Sequence, residues 1–466
     1  MSIPFVIVIC YIIALFAISL YAKKLSTSGS ESFILAGRKL TTPIIAVTIT
    51  GVAVGGASTI GVAERAYNVG LAAGWYNAAW GVGAIVMGLV AASKYRSLNV
   101  STVPELFEKF YDTKGRIICV ISQMIILLAI TSLQYIAGGA ILASLLPDIF
   151  TLHSGMIMSV VVFIGITFIG GMWSAGLSNI LNVSLIYVGT IFATIATLKS
   201  QGGLGSIALK LPKEVPYLHP IAGLGLPIIL GWFAVMITQT MSLQATVQIA
   251  CGAKDEKQAK NGFIIGGLLM IPIGFLSALM GIAAKAAYPG ISATMALPKV
   301  LVSLNPLVAG ITLAALWAAD VSTACNLLLG TSTLFTQDIY KRFISPDIKD
   351  KKLMLVSKIT VVILGLITFM LALTVVSILK TLLIALSLTT AFTVVFLFTV
   401  FMPSLCRKGS AFYTTLAGII VLILWQLVPA IRIFPHVIYL EWLVCIGVFL
   451  LIAVFDTVKI PSFAKI

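Results

Sequence analysis

Residues 314–340 read AALWAADVSTACNLLLGTSTLFTQDIY. This stretch is apolar enough to cross a membrane, yet it carries Asp320, Ser322, Thr323 and Asn326 in its interior. Polar and ionisable side chains inside a membrane span are costly, and they usually mark the path of an ion or a solute. We therefore expect the other segments of the chain to form a scaffold around this one helix.

The composition of the chain indicates a membrane protein. Of 466 residues, 60% are hydrophobic and only 10% are charged, and the mean hydropathy is +1.11. A soluble protein would carry about 25% charged residues. Apolar runs of about 20 residues recur along the chain, which predicts a polytopic α-helical membrane protein and excludes a β-barrel with its shorter alternating strands.

The net charge of +15 has two readings, nucleic-acid binding or membrane topology. The basic residues lie in short loops between apolar runs, which favours topology. No nucleic-acid partner is therefore predicted. The six cysteines are scattered and suggest neither a disulfide framework nor a metal site.

An intramembrane enzyme is disfavoured. All three histidines fall in predicted loops, so a serine at Gly290-Ile291-Ser292-Ala293, which superficially resembles a serine-protease motif, has no mid-span histidine to activate it. We therefore do not expect an enzyme.

The apolar runs predict thirteen transmembrane helices. The first lacks a basic region before it and is followed by Lys23 and Lys24, which places the N-terminus outside and the C-terminus inside. Most of the 30 Lys and Arg residues fall in the segments that this orientation places inside. The predicted spans are 3–21, 42–62, 74–93, 118–146, 154–171, 178–198, 221–249, 263–286, 304–336, 358–378, 381–403, 411–430 and 437–456.

Two spans are interrupted by glycine or crowded with polar groups. Residues 49–61 read ITGVAVGGASTIG, and residues 231–252 contain Thr238-Gln239-Thr240, Ser242, Gln244 and Gln248. Broken helices at matching places in two halves of a transporter form a binding site at the bilayer midplane. The alternative for 49–61 is a seam of small residues between packed helices.

The spans also divide into two sets of five, residues 42–198 and 221–403. An odd number of spans per set gives the two sets opposite orientations, so repeats here would be inverted. The helix at 3–21 precedes them and two helices at 411–456 follow. We expect residues 1–466 to form a single transmembrane domain.

Four ordered motifs resemble the sodium:solute symporter family, which includes the sodium–glucose, sodium–proline and pantothenate carriers. They are FILAGRKL at 33–40, AYNVG at 66–70, TVPELF at 102–107 and STLFTQDIY at 332–340. The resemblance covers nearly the whole chain. It implies an all-α, LeuT-type inverted-repeat core of ten helices, with one helix before it and two after it.

The same resemblance implies a sodium site. Its ligands would be the backbone carbonyls of Gly51, Val54 and Ala319 and the hydroxyls of Ser322 and Thr323. Positions 319, 322 and 323 share one helical face, which agrees with their binding the same ion. Considered alone, the two hydroxyls would more often form hydrogen bonds between helices.

Two residues depart from the family pattern. Many relatives carry an aspartate where Asn179 stands in SNILN, residues 178–182, which puts a second cation at that position in doubt. Asp320, conversely, stands where relatives often have a small or apolar residue. It would neutralise a cation, hold a cationic or amine-bearing substrate, carry a proton, or form a structural hydrogen bond.

Neutral hydrogen-bonding residues near the broken helices are the candidate solute ligands. About half of such groups would instead hold helices together. Their chemistry suits a small polar organic solute, and the absence of a mid-span Lys or Arg would leave an anionic solute to helix dipoles or to bound Na⁺. By family position the candidates are Ser58, Thr59, Asn77, Gln134, Tyr135, Gln239, Thr240 and Gln244.

These expectations combine into a Na⁺-coupled symporter that carries a solute into the cytoplasm by alternating access. We expect it in the cell membrane, of the bacterial inner or plasma type, without an obligatory protein partner. An H⁺-coupled symporter using Asp320 is the alternative, followed by a non-transporting solute sensor, which the lack of an output domain disfavours. The sequence does not choose among sugars, amino acids, carboxylates, vitamins and nucleobases.

Overall fold

The computed structural model describes residues 3–26, 29–374 and 386–458. The predicted spans 358–378 and 381–403 extend partly into residues outside these ranges. Three of the counted basic residues also lie outside them, namely Lys380, Lys459 and Lys465. Within the described residues the fold is helical, and the β structure is limited to an isolated bridge between Leu40 and Ala253. The all-α prediction is confirmed.

Nineteen α-helices are described, and a π-helical segment, Leu334–Ile344, continues the fifteenth. Among the described residues, nine helices are long and apolar enough to cross a membrane, or ten if α11 and α12 are counted as one bent span. The helices are α1 Ile3–Leu25, α2 Ser30–Leu35, α3 Thr42–Ala53, α4 Ile60–Val69, α5 Trp75–Val90, α6 Ala92–Ser97, α7 Val103–Phe110, α8 Thr113–Leu145, α9 Leu152–Ser200, α10 Gly203–Lys210, α11 Leu226–Ser242, α12 Gln244–Cys251, α13 Glu256–Ala287, α14 Ala296–Val302, α15 Pro306–Thr333, α16 Asp350–Ala372, α17 Thr389–Phe401, α18 Ser410–Leu427 and α19 Val437–Phe455.

Helix α15 is the enclosed centre of the fold. Every residue from 312 to 334 is buried, whereas the outer helices α1 and α19 expose most of their surface. Helix α15 packs against α9, α8 and α1. The stretch with the intramembrane polar groups is therefore surrounded by protein.

The long helix α9 is in fact a pair of antiparallel helices. Gly171 has φ 55° and ψ −134°, values that interrupt the helix. Ser159 and Gly189 lie on opposite sides of this break, yet they contact the same level of α15, at Trp317 and Ala315. A straight helix would hold them about 45 Å apart. The chain therefore reverses at Gly171.

Both interruptions expected in the core helices are present, but only one occurs at glycine. Between α3 and α4, Val54 (φ −95°, ψ 80°) and Gly55 (φ −112°, ψ −161°) leave the helical conformation. Between α11 and α12 the extended residue is Leu243 (φ −70°, ψ 129°), and the two helices bend by 49° there. The Thr246 hydroxyl donates to the carbonyls of Leu243 (2.7 Å) and Thr240 (2.9 Å), so a side chain satisfies backbone groups that the break releases.

Loops predicted to lie on one side of the membrane contact one another. At the end predicted to be cytoplasmic, Arg38 donates to the Cys251 carbonyl at 3.1 Å. At the opposite end, the Leu71 amide donates to the Tyr217 carbonyl at 2.7 Å. The helix ends thus form two separate layers with the broken helices between them.

Candidate functional site

The break between α3 and α4 is pressed closely against its neighbours. A Cβ at Gly55 would lie 2.5 Å from Gln134 Oε1 and 2.6 Å from Thr323 Oγ1, and one at Gly56 would lie 2.8 Å from Asp320 Oδ1. Real Cβ atoms essentially never approach other heavy atoms this closely. The glycines are therefore required here so that polar groups of α8 and α15 can reach the unwound backbone.

Two hydroxyls of α15 converge on the carbonyl of Gly51. Ser322 Oγ lies 2.8 Å from this oxygen and Thr323 Oγ1 lies 2.9 Å from it. The same hydroxyls lie 2.7 Å and 3.1 Å from the Ala319 carbonyl oxygen. Four of the five residues expected to bind sodium thus meet at one point between α3 and α15.

The fifth expected ligand, the carbonyl of Val54, lies in the unwound part of the segment. Among the described residues no hydrogen bond is made to this oxygen. Val54 is fully buried, and its own amide donates to Thr50 O at 2.9 Å. A buried carbonyl without a donor is an available ligand for a cation.

Asn179 lies directly against this cluster. A Cβ at Gly51 would be 2.8 Å from the Asn179 amide nitrogen. Asn179 Oδ1 accepts from Asn182 Nδ2 at 3.1 Å, and Asn182 Oδ1 in turn accepts from the Tyr11 hydroxyl at 2.8 Å. The sequence offered no signal for Tyr11, because α1 lies outside the predicted repeats.

Asp320 is completely buried, and in the described part of the chain no side chain donates a hydrogen bond to either carboxyl oxygen. The amide of Gly56, against which the carboxyl lies, donates to Gln134 Oε1 at 3.1 Å. The same Gly56 N–H also faces the Asp320 carboxyl, so one backbone amide lies between the two side chains.

The expected solute residues at the break before α4 and in α5 differ in how fully their polar groups are used. The Ser58 hydroxyl donates to Ala53 O at 2.5 Å and the Thr59 hydroxyl to Gly55 O at 3.2 Å, so both satisfy carbonyls at the break. Asn77 is buried, and neither amide atom has a hydrogen-bond partner among the residues that the structure describes. It packs against α13 at Gly274, where a Cβ would lie 3.0 Å from the Asn77 Cγ.

The expected residues of α11 and α12 are placed differently from one another. Gln239 donates to Thr240 Oγ1 at 3.0 Å, and its Oε1 is buried without a partner. Gln244 instead accepts from the Val103 amide at 3.0 Å and donates to Ser101 O at 3.1 Å, so it links α12 to the start of α7. Gln244 thus begins α12, directly after the break at Leu243, and its side chain points to α7.

Tyr135 follows Gln134 but points to another helix. Its ring stacks on Phe163 of α9 with centroids 5.5 Å apart, and a Cβ at Gly365 would lie 3.5 Å from its hydroxyl oxygen. Consecutive helical residues point about 100° apart, so only one of the pair can face the break. That residue is Gln134.

Sequence reasoning missed a buried charge cluster at the end predicted to be cytoplasmic. Arg116 on α8 pairs with Asp338 at 2.7 Å and with Glu108 on α7, while Thr102 donates to Asp338 at 2.9 Å. Burial alone would raise the pKa of Glu108, but hydrogen bonds from Arg342, Arg116 and Thr113 lower it to about 2. This cluster ties α7 and α8 to the end of the segment that continues α15.

Comparison with known proteins identifies a family that this chain matches. The model of the sodium:solute symporter family matches residues 33–418. The sodium/glucose cotransporter of Vibrio parahaemolyticus is 25% identical over 377 residues, 73% of this chain and 68% of the relative. The sodium/proline symporter of Staphylococcus aureus (strain JH9) is 23% identical over 355 residues, 72% of this chain and 68% of the relative.

A solved structure shows the same fold. A Na⁺-coupled sialic acid symporter in a substrate-bound outward-open state superposes with a TM-score of 0.84 at 17% identity, over 99% of each chain. The fold is of the LeuT type. The chain therefore belongs to the sodium:solute symporter family and is a multi-pass membrane transporter, not an enzyme, that couples the movement of a solute to sodium.

Proposed function

We propose that this protein imports a small polar organic solute together with Na⁺ by alternating access. The proposal includes thirteen spans, an outside N-terminus, an inside C-terminus and a location in a bacterial-type plasma membrane. It also includes inverted repeats at 42–198 and 221–403. The reversal at Gly171 and the two layers of mutually contacting loops support this topology.

One observation carries the proposal, the convergence of Ser322 and Thr323 on the carbonyls of Gly51 and Ala319 within 2.7–3.1 Å. Together with Val54 O, these groups supply five neutral oxygens. Unwound backbone carbonyls and hydroxyls of this kind bind Na⁺ in broken-helix transporters. A neutral set also suits a monovalent ion that must be released again after transport.

The position of this oxygen set suggests how Na⁺ would be coupled to the solute. Gly51 belongs to α3, next to the break, and the other hydrogen-bonded members belong to α15. An ion held by both helices stabilises the arrangement in which they are close together, and a solute that binds the same arrangement is bound more tightly. An inside-negative potential adds about 2.3 kcal/mol per charge per 100 mV.

The solute would bind on the far side of the break, where polar groups remain available. Asn77 and Gln239 have buried amide atoms without partners, and Gln134 holds the unwound backbone. Such uncommitted groups satisfy hydrogen bonds when a polar ligand binds. The named relatives and the structural neighbour act on glucose, proline and sialic acid, so the family does not select among solutes for this chain.

A thermal-shift screen tests the proposal. Purified protein is heated with a panel of sugars, amino acids, carboxylates, vitamins and nucleobases, in Na⁺ and in choline. We expect a solute that stabilises the protein only when Na⁺ is present, because each ligand raises the stability of the state that binds it. A solute that stabilises equally in both salts would contradict Na⁺ coupling, and accumulation driven by a pH gradient without Na⁺ would support the H⁺-coupled alternative.

A further inference from the structure

Asp320 is a buried carboxyl that the proposed transport cycle does not yet use. It is 0% exposed, and among the described residues neither Oδ1 nor Oδ2 accepts a hydrogen bond from a side chain; only the Gly56 backbone N–H faces it. None of the ion pairs among the described residues includes it. A buried carboxylate without a partner is strongly unfavourable, so such a group either holds a proton or binds a ligand that supplies the missing charge.

The Asp320 carboxyl lies against the unwound backbone at Gly56. A Cβ at Gly56 would lie 2.8 Å from Asp320 Oδ1. Gln134 Oε1 lies at the same backbone unit, 3.1 Å from the Gly56 amide nitrogen. An amide oxygen has two lone pairs and only one is used here, so Gln134 keeps an acceptor beside the carboxyl.

Asp320 is separate from the proposed sodium ligands. Ser322 and Thr323 face Gly51, before the break, whereas Asp320 faces Gly56, beyond it. The sodium ligands already form a set of neutral oxygens that requires no carboxylate. Within 312–334 the sequence has no Lys or Arg that could pair with Asp320 from its own helix.

Asp320 and Gln134 thus both lie at the Gly56 backbone unit, and between them they offer the two carboxyl oxygens and the free lone pair of the amide. A primary ammonium group has a positive charge and three N–H donors, and it matches this set in both charge and hydrogen bonding. We propose that Asp320 binds the protonated amine of the transported solute, with Gln134 as a second acceptor. This inference rests on the proposed function and narrows the solute to an amine-bearing compound.

Methylammonium is the probe that tests the site, since it carries the ammonium group and little else. Purified protein in Na⁺ is titrated with methylammonium chloride, and unfolding temperature is recorded. Tetramethylammonium chloride at equal ionic strength is the control, because it has the charge but no N–H donor. We expect stabilisation by methylammonium and none by tetramethylammonium.

Asp320→Asn should remove the effect of methylammonium and leave stabilisation by Na⁺ intact. Charge-assisted hydrogen bonds of this kind imply an apparent affinity for methylammonium at least about tenfold weaker in the variant. Asp320→Ser serves as a second variant if Asp320→Asn does not fold, and the comparison of the two ions in the wild type needs no variant.

The outcomes separate this inference from the transport proposal. No methylammonium effect in the wild type, or an equal effect in wild type and variant, would overturn the assignment of Asp320. Loss of the Na⁺ effect in Asp320→Asn would also overturn it, since Asp320 would then belong to the sodium site. Absence of stabilisation of the wild type by Na⁺, relative to K⁺, would instead contradict Na⁺ coupling itself.

Discussion

Removing the hydroxyls of Ser322 and Thr323 should weaken Na⁺ binding without disturbing the fold. Each hydroxyl lies within 3.1 Å of both the Gly51 and the Ala319 carbonyl oxygens. A hydrogen-bonding contact to a charged group contributes about 1.5–3 kcal/mol, and about 1.4 kcal/mol corresponds to a tenfold change in affinity. Ser322→Ala and Thr323→Ala should therefore each raise the half-saturating Na⁺ concentration about 10- to 100-fold, and the double variant should raise it further.

The assay is a Na⁺ titration of thermal stabilisation, repeated as Na⁺-dependent uptake once a solute is known. Thr323→Ser keeps the hydroxyl and should stay within about threefold of the wild type, well below the tenfold expected for loss of one charged contact. Thr331→Ala is a matched control on the same helix, because its hydroxyl donates only to Leu327 O at 2.8 Å. Unchanged half-saturation in the double variant, or an equal rise in Thr331→Ala, would refute the assignment of these hydroxyls.

Three further predictions concern the scaffold. Gly171→Ala should prevent folding or sharply reduce expression, because φ is positive there and a Cβ would collide with the Phe33 carbonyl. The yield of detergent-extracted protein and its size-exclusion profile measure this effect. A normal yield would contradict the tight reversal of the chain at Gly171. Arg116→Gln should destabilise the protein by about 3–5 kcal/mol, because it leaves Asp338 buried without its partner. In a double-mutant cycle, adding Asp338→Asn should restore part of the lost stability. Strictly additive effects would show that the two residues are not coupled. Because the pKa of Glu108 is lowered from 4.5 to about 2, its contribution to folding stability is present above pH 4.5 and is lost as the pH falls towards 2. The difference in stability between the wild type and Glu108→Gln should therefore shrink over that pH range. A difference that does not change with pH would contradict the prediction.

Much of the core was predictable because its physical signals are local. A polar group in an apolar run is visible in the sequence, so the stretch containing Ser322 and Thr323 stands out by composition alone. Glycines that open a helix are equally visible, as at Gly55. The structure brings these two stretches into contact, and this contact joins the two predicted repeats.

The parts that sequence reasoning missed depend on long-range contacts. Leu243 is an ordinary helix former, and its extended conformation follows from hydrogen bonds made by Thr246 and from packing. Gln244 stays a predicted solute ligand from its place in a polar span, whereas its hydrogen bonds to residues at the start of α7 could not be read from that span. Tyr11 reaches Asn182 across 171 positions, a separation at which one sequence carries no signal.

The charge cluster was missed for a related reason. Arg116 and Asp338 lie 222 positions apart, and the sequence assigned the charge of Arg116 to membrane topology. Membrane topology explains why basic residues occur at these helix ends, but it does not show which charged residues form pairs. Only the tertiary structure shows that Asp338 is fully buried and needs its arginine.

Accumulation of the solute in sealed proteoliposomes tests the central claim most directly. The solute identified by thermal shift is supplied as a tracer outside, under an inward Na⁺ gradient, under an equal choline gradient, and with Na⁺ plus a sodium ionophore. Na⁺-coupled symport predicts internal tracer above the external concentration in the first condition only, with the effect lost in the Ser322→Ala, Thr323→Ala double variant. Equal accumulation in choline, or accumulation that survives collapse of the Na⁺ gradient, would contradict it.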